Sequence, residues 1–177
     1  IMANNHNLRG GELSNNDKLT SLYRFWKDTA GFILFSAQRI EETIDALHVL
    51  NTRQQMSSAA VSFNEANDGL DLVARDMVPV LEAFLFLMNK NLVQIHSCVF
   101  QLFADNTAEA ILSSVINLVN ILPLRCLDVF PKLEQKIYVC MEVICTQYPN
   151  SAVQFISHQS IKILIRGLSS TNLDLVK

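Results

Sequence analysis

The sequence predicts an all-helical protein, and three observations support this fold class. Half of the 177 residues are hydrophobic and only 18% are charged, so much apolar surface is available for burial between elements. Five glycines and four prolines leave few positions that would interrupt a helix. Apolar residues also recur at intervals of three and four, which is the period of an amphipathic helix. The chain is long enough for one domain with a substantial core.

Composition and charge exclude several classes of partner. The net charge is −3 and the isoelectric point is near 5.8. Because no Lys/Arg cluster is available to neutralise phosphates, we expect neither nucleic acid nor an anionic membrane surface as a partner. The apolar stretches are too short to span a bilayer, and no signal peptide is visible. All four cysteines lie in apolar helical patterns, which is typical of free thiols in a reducing compartment. We therefore predict an intracellular location, cytoplasmic or nuclear.

The N-terminal part is predicted to be a leader followed by a long helix or helical hairpin. Residues 1–16 are rich in Asn and contain adjacent glycines, and we expect them to be disordered. Residues 17–67 form a helical segment, with a long helix from about Asp17 to about Thr52 and a weaker, polar helix over about 54–66. The stretch 64–69 is interpreted as a turn that marks the boundary with the following part.

The long helix carries an apolar seam whose residues are spaced by four, three, four and three. This spacing is typical of a coiled coil or a tight helical hairpin. Two interpretations are open: the seam pairs with its copy and forms a homodimer, or it packs within the chain. The seam residues are Ile33, Ala37, Ile40, Ile44 and Leu47.

Residues 70–177 are predicted to be a series of short apolar helices separated by polar turns. Asp76 is expected to cap a helix that runs to about Met88, with Pro79 in its first turn, where a missing N–H is harmless. Three further prolines set later helix limits. Pro123 ends a helix capped by Thr107, Pro131 opens a helix, and Pro149 ends that helix.

Residues 70–177 also contain an internal repeat. Segment 91–103 aligns with segment 132–144, 41 residues later, with Leu92 over Leu133 and Gln94 over Gln135. A third copy begins at 172–177, where a new helix starts, so we expect the chain to be part of a longer protein. A period near 40 residues with two or three helices per unit is typical of HEAT and armadillo proteins.

Segment 150–176 resembles an armadillo unit, since a short helix and a turn precede an apolar helix that ends in Leu168-Ser-Ser. The resemblance implies a short armadillo/HEAT-like α-solenoid over residues 70–177. It also implies a scaffold or adaptor that binds a partner peptide or helix. The positions of the family's Trp/Asn ladder for basic peptides hold Ser97, Gln101, Tyr138 and Glu142, so nuclear import signals are not implied as ligands. Candidate partner-binding residues are Gln94, Gln101, Gln135, Tyr138 and Glu142.

Catalysis is not expected, because no phosphate-binding loop, nucleophile elbow or metalloprotease motif is present. His96 and Cys98 are two apart on a predicted helix and point in different directions, so they do not form a metal site. We predict no cofactor and no metal. Besides the scaffold, two functions remain open: homo-oligomerisation through the apolar seam, and a fragment of a HEAT-type nuclear transport receptor.

Overall fold

The computed structural model describes residues 15–56, 63–88 and 105–169, and these residues form helices joined by short turns. The described part contains seven helices and no strand, which confirms the all-helical fold class. The leader before residue 15, segment 91–104 and the third copy at 172–177 lie outside the described residues. The helices are α1 (Asn15–Met56), α2 (Phe63–Met88), α3 (Thr107–Ile121), α4 (Arg125–Val129), α5 (Pro131–Gln147), α6 (Pro149–Phe155) and α7 (His158–Ser169).

The first two helices form an antiparallel hairpin. Near one end the rings of Phe25 and Phe86 meet edge to face, with centroids 6.2 Å apart. Near the other end the side chain of Leu47 packs against Gly69. Helix α1 also packs against α3, and α2 packs against α5.

The apolar seam of α1 is buried inside this arrangement, which corrects one prediction. Ile33, Ile40 and Ile44 are 0%, 3% and 1% exposed, and Leu47 is partly buried against the same core. These side chains are covered by other helices of the same chain, so they are not available to a second copy. The predicted homodimer through the seam is therefore wrong, and the alternative, packing within the chain, is the observed one.

Helix α2 is continuous across the predicted turn at 64–69, so the boundary between residues 67 and 70 falls inside a helix. The predicted helix start at Asp76 is also wrong, and Pro79 lies in the interior of α2. Because proline has no amide N–H, the helical hydrogen bond to the carbonyl of Arg75 cannot form. Burial of Val73 and Met77 on the core side of α2 offsets this loss.

The start of α3 is attached to α1 through the carboxylate of Asp105. Tyr23 Oη donates a hydrogen bond of 2.5 Å to this carboxylate, and Lys27 Nζ lies 2.9 Å from its Oδ2. The backbone N–H of Thr107 donates to Oδ1 over 2.9 Å, and the Thr107 hydroxyl bonds the same oxygen. Asp105 therefore satisfies the first amide of α3 and joins it to two side chains of α1.

The C-terminal helices follow the predicted proline limits. Helix α3 ends at Ile121 before Pro123, α5 begins at Pro131, and Pro149 separates α5 from α6. Asn120 of α3 links these helices, because its Nδ2 donates to the carbonyl of Phe155 over 3.1 Å and its Oδ1 accepts from the Ser157 hydroxyl over 2.6 Å. Helix α5 buries one apolar stripe, with spacings of four, four and three residues, formed by Leu133, Ile137, Met141 and Ile144.

Candidate protein-binding cleft

The five predicted partner-binding residues divide into two groups in the structure. Gln94 and Gln101 lie outside the described residues. Gln135, Tyr138 and Glu142 share one side of α5, where Gln135 and Glu142 are exposed and Tyr138 is half-buried. Gln135 and Glu142 are accessible to a partner, and their role stays a prediction.

Tyr138 is engaged within the chain, at the contact between α5 and α7. Its hydroxyl lies 3.0 Å from Glu134 Oε1 and 3.2 Å from the carbonyl oxygen of Ile163. Burial, together with the neighbouring Glu134 carboxylate, holds the pKa of Tyr138 well above its usual range. Arg166 Nε also lies 3.2 Å from Glu134, and Arg166 Nη2 is 2.6 Å from Asp128. The bonds among these four side chains join α4, α5 and α7. Tyr138 therefore has a structural role that the sequence pattern did not reveal.

The close approach of Tyr138 to Gly167 gives a testable consequence. A methyl group at position 167 would lie 2.6 Å from ring atoms of Tyr138, well inside the ~3.5–4.0 Å at which carbon atoms pack. We expect Gly167→Ala to lower the free energy of unfolding by about 1–2 kcal/mol, although alanine favours helices more than glycine does. Chemical denaturation measures the change. Gly31→Ala is the matched control, because a Cβ there meets nothing within 4 Å among the residues that the structure describes, and this substitution should stabilise the chain. Equal changes in the free energy of unfolding for the two substitutions would contradict the contact between Gly167 and Tyr138.

An open cleft lies between α2 and the start of α5. It has a volume of about 810 Å³ and is lined along one side by α2, from Asp71 to Glu82, and along the other by residues 130–133. Leu72 is 40% exposed, and Val78 and Phe130 are half-buried, so apolar side chains form much of its lining. The volume falls in the range of sites that bury several apolar groups of a ligand. The cleft is thus open, with a mainly apolar lining.

Four charged residues border the cleft, and two of them are already paired. Glu82 lies 3.1 Å from Lys136 and 3.7 Å from Lys132, and hydrogen bonding to Lys136 lowers the pKa of Glu82. Asp71 and Arg75 form no ion pair with any residue that the structure describes. The cleft therefore presents one carboxylate and one guanidinium, one helical turn apart on α2, beside an apolar surface.

The cleft is not predicted by the sequence pattern, which indicates a turn at 64–69 and a helix start at Asp76. A signal was present in the sequence: Leu70, Val73 and Met77 are spaced by three and four residues, so they continue the apolar period of α2 toward its N-terminus. The other wall comes from residues 130–133, and their approach to α2 depends on tertiary packing that spacing alone does not specify.

Two of the described thiols, those of Cys126 and Cys140, are buried in the core. Burial raises the pKa of Cys126 to about 11 and that of Cys140 still further, so both thiols stay protonated at neutral pH. Within residues 15–56, 63–88 and 105–169, no group of three or more His, Cys, Asp or Glu side chains is placed to hold a metal ion. None of the helices that the structure describes is both long and apolar enough to cross a membrane.

No protein-family model, curated protein or solved structure matches this chain.

Proposed function

We propose that the chain is a non-enzymatic protein-interaction module, a scaffold or adaptor, whose cleft between α2 and α5 binds an amphipathic helix or apolar peptide segment of a partner protein. The observation that carries the proposal is the cleft itself. Its apolar lining is flanked by Asp71 and Arg75, which have no ion-pair partner in the described part of the chain. Open grooves between helices bind amphipathic helices through apolar anchors, with charged residues at the rim setting orientation.

The order of helix contacts supports a short armadillo/HEAT-like arrangement for this module. Helix α1 packs against α3 and α3 packs against α7, while α2 packs against α5. Helices α1 and α3 run in the same direction, since Lys27 meets Asp105 and Glu41 meets Asn117. In helical repeats, successive units stack equivalent helices in the same direction and leave a continuous surface for partners.

A photo-crosslinking amino acid placed at Leu72 tests the proposal. Position 72 lies in the cleft, whereas Val153 on α6 is 87% exposed and does not line the cleft. We expect the probe at 72 to join the chain to a defined partner that the probe at 153 does not reach. Identical crosslinked products from both positions would contradict the cleft as the binding site.

Substitutions in the cleft should then weaken binding of the purified partner. Leu72→Arg removes an apolar contact and introduces a charge, and we expect an increase in Kd of about tenfold or more. Val153→Arg is the matched control, with an unchanged Kd. Both positions are exposed, so both variants should keep wild-type stability within about 0.5 kcal/mol. Isothermal titration calorimetry measures Kd, and a Kd unaffected by Leu72→Arg would refute the assignment.

A further inference from the structure

The side of α1 that faces away from the buried seam carries a second pattern, distinct from the cleft. Arg24, Asp28, Gly31, Phe35 and Glu42 are spaced by four, three, four and seven residues, so they lie along one side of the helix. All five are exposed, and the ring of Phe35 is 64% exposed. Phe35 and the neighbouring Phe32, which is 49% exposed, together give an apolar area bordered by charged residues, as at interaction surfaces.

On this side of α1, charged residues at similar distances before and after the level of Ile33 have opposite signs. A cation at Arg24 and an anion at Asp28 precede the centre, and a cation at Arg39 and an anion at Glu42 follow it. In the described part of the chain, Arg24, Asp28 and Arg39 form no ion pair. Glu42 accepts one hydrogen bond from Gln38 over 3.0 Å, which leaves its second carboxylate oxygen available.

We propose that α1 pairs antiparallel with α1 of a second copy of this chain, across a twofold axis at the level of Ile33. In this register Arg24 faces Glu42 of the second copy, and Asp28 faces Arg39. Each contact occurs twice because the interface is symmetric. In a parallel arrangement each charged residue would lie beside the same residue of the second copy, and the like charges would repel. The order of charges therefore favours the antiparallel arrangement.

Gly31 supplies the space that the centre of this interface requires. The register places Phe35 of one copy over Gly31 of the other. A Cβ at Gly31 meets nothing within 4 Å among residues 15–56, 63–88 and 105–169, so this part of the chain leaves the surface there open. Phe32, which is 49% exposed, borders the same area and extends its apolar surface. The absence of a side chain at position 31 lets an aromatic ring of the second copy approach the helix backbone.

The contact is modest in size, which sets the expected affinity. The residues from Arg24 to Glu42 span about 27 Å of helix, at a rise of ~1.5 Å per residue. One pair of helices over this length falls among the small interfaces of weak complexes. Sedimentation velocity of the 177-residue chain between about 1 µM and about 1 mM covers the corresponding range of Kd. We expect a reversible monomer–dimer equilibrium in this range.

Charge exchange tests the register. Asp28→Arg places two guanidinium groups opposite each other at two symmetric positions, and we expect an increase in the dimer Kd of about tenfold. Combining Asp28→Arg with Arg39→Asp restores opposite charges and should return the Kd to within about threefold of wild type. Exposed Glu142→Arg on α5 is the control and should leave the Kd unchanged.

A substitution at Gly31 separates loss of the interface from loss of folding. Gly31→Gln should raise the Tm of the monomer, because glutamine favours a helix more than glycine does and its Cβ meets no neighbour in the described part of the chain. The same substitution fills the space required by Phe35 of the second copy, and we expect the dimer Kd to rise by about tenfold or more. A chain that stays monomeric throughout the concentration range overturns the proposal. A dimer Kd that is not restored by the paired exchange of Asp28 and Arg39 also overturns the proposal.

Discussion

Replacing Asp105 with alanine is expected to lower the free energy of unfolding by about 3 kcal/mol. The carboxylate accepts hydrogen bonds from Tyr23, Lys27 and Thr107, and its side chain is only 8% exposed. Loss of the bond to the first amide of α3 accounts for about 1 kcal/mol. The rest comes from the Tyr23 hydroxyl and the Lys27 ammonium, which lose their shared acceptor where α1 meets α3. Urea denaturation followed by circular dichroism measures the difference.

Asp128→Ala is the matched control for this measurement. Asp128 also forms an ion pair, with Arg166 at 2.6 Å, but its side chain is 60% exposed. Exposed ion pairs contribute ~1 kcal/mol or less, so we expect a much smaller loss. Comparable losses for the two variants would contradict the role of Asp105 as the attachment between α1 and α3.

The pH dependence of stability gives a second measure of Asp105. Burial alone would raise the pKa of this carboxyl, but hydrogen bonds from Thr107, Tyr23 and Lys27 outweigh burial and hold the pKa well below its usual range. The unfolded chain, with an ordinary aspartate pKa near ~3.9, therefore binds the proton more readily than the folded chain does. The stabilisation is complete above that value and is lost as pH falls toward the folded pKa. Asp105→Asn should flatten the decrease in stability between about pH 5 and pH 2.

Prolines show how far local rules extend in this chain. Pro123, Pro131 and Pro149 each set a helix limit as the sequence predicts, and Pro131 and Pro149 stand at the first position of a helix, where no amide N–H is needed. At Pro79 the same rule fails. An interior proline costs about 3 kcal/mol or more in an isolated helix. Burial of the stripe on both sides of Pro79, from Val73 to Phe84, outweighs that cost. Burial of this kind depends on α1 and α5, which a local pattern does not contain.

The seam of α1 shows the complementary case. Its spacing identifies the buried residues, since Ile33, Ile40 and Ile44 are all nearly inaccessible. Spacing does not specify which surface covers them, because a second copy and a distant helix of the same chain satisfy the same period. The covering helices α2 and α3 lie further along the chain, and only their packing distinguishes the two cases. The cleft was missed for the same reason, as its walls come from α2 and from residues 130–133.

A pair of substitutions on α1 separates folding from association. Ile33→Ala removes a side chain that is 0% exposed, and we expect the free energy of unfolding to fall by about 2–5 kcal/mol. Phe35→Ala, two residues away on the outward side, removes a ring that is 64% exposed and should change stability by no more than about 0.5 kcal/mol. Urea denaturation at low micromolar concentration, where the chain is monomeric, measures both values.

The dimer Kd should respond to these two substitutions in the opposite way. Phe35→Ala removes the aromatic group that the second copy places over Gly31, so its dimer Kd should rise by about tenfold or more. Ile33→Ala should leave the dimer Kd of the folded chain within about threefold of wild type, because Ile33 is covered by helices of its own chain. If Ile33→Ala instead weakened association and left folding intact, the seam would be an interface between copies. The two measurements together therefore decide which side of α1 belongs to the core and which to a partner.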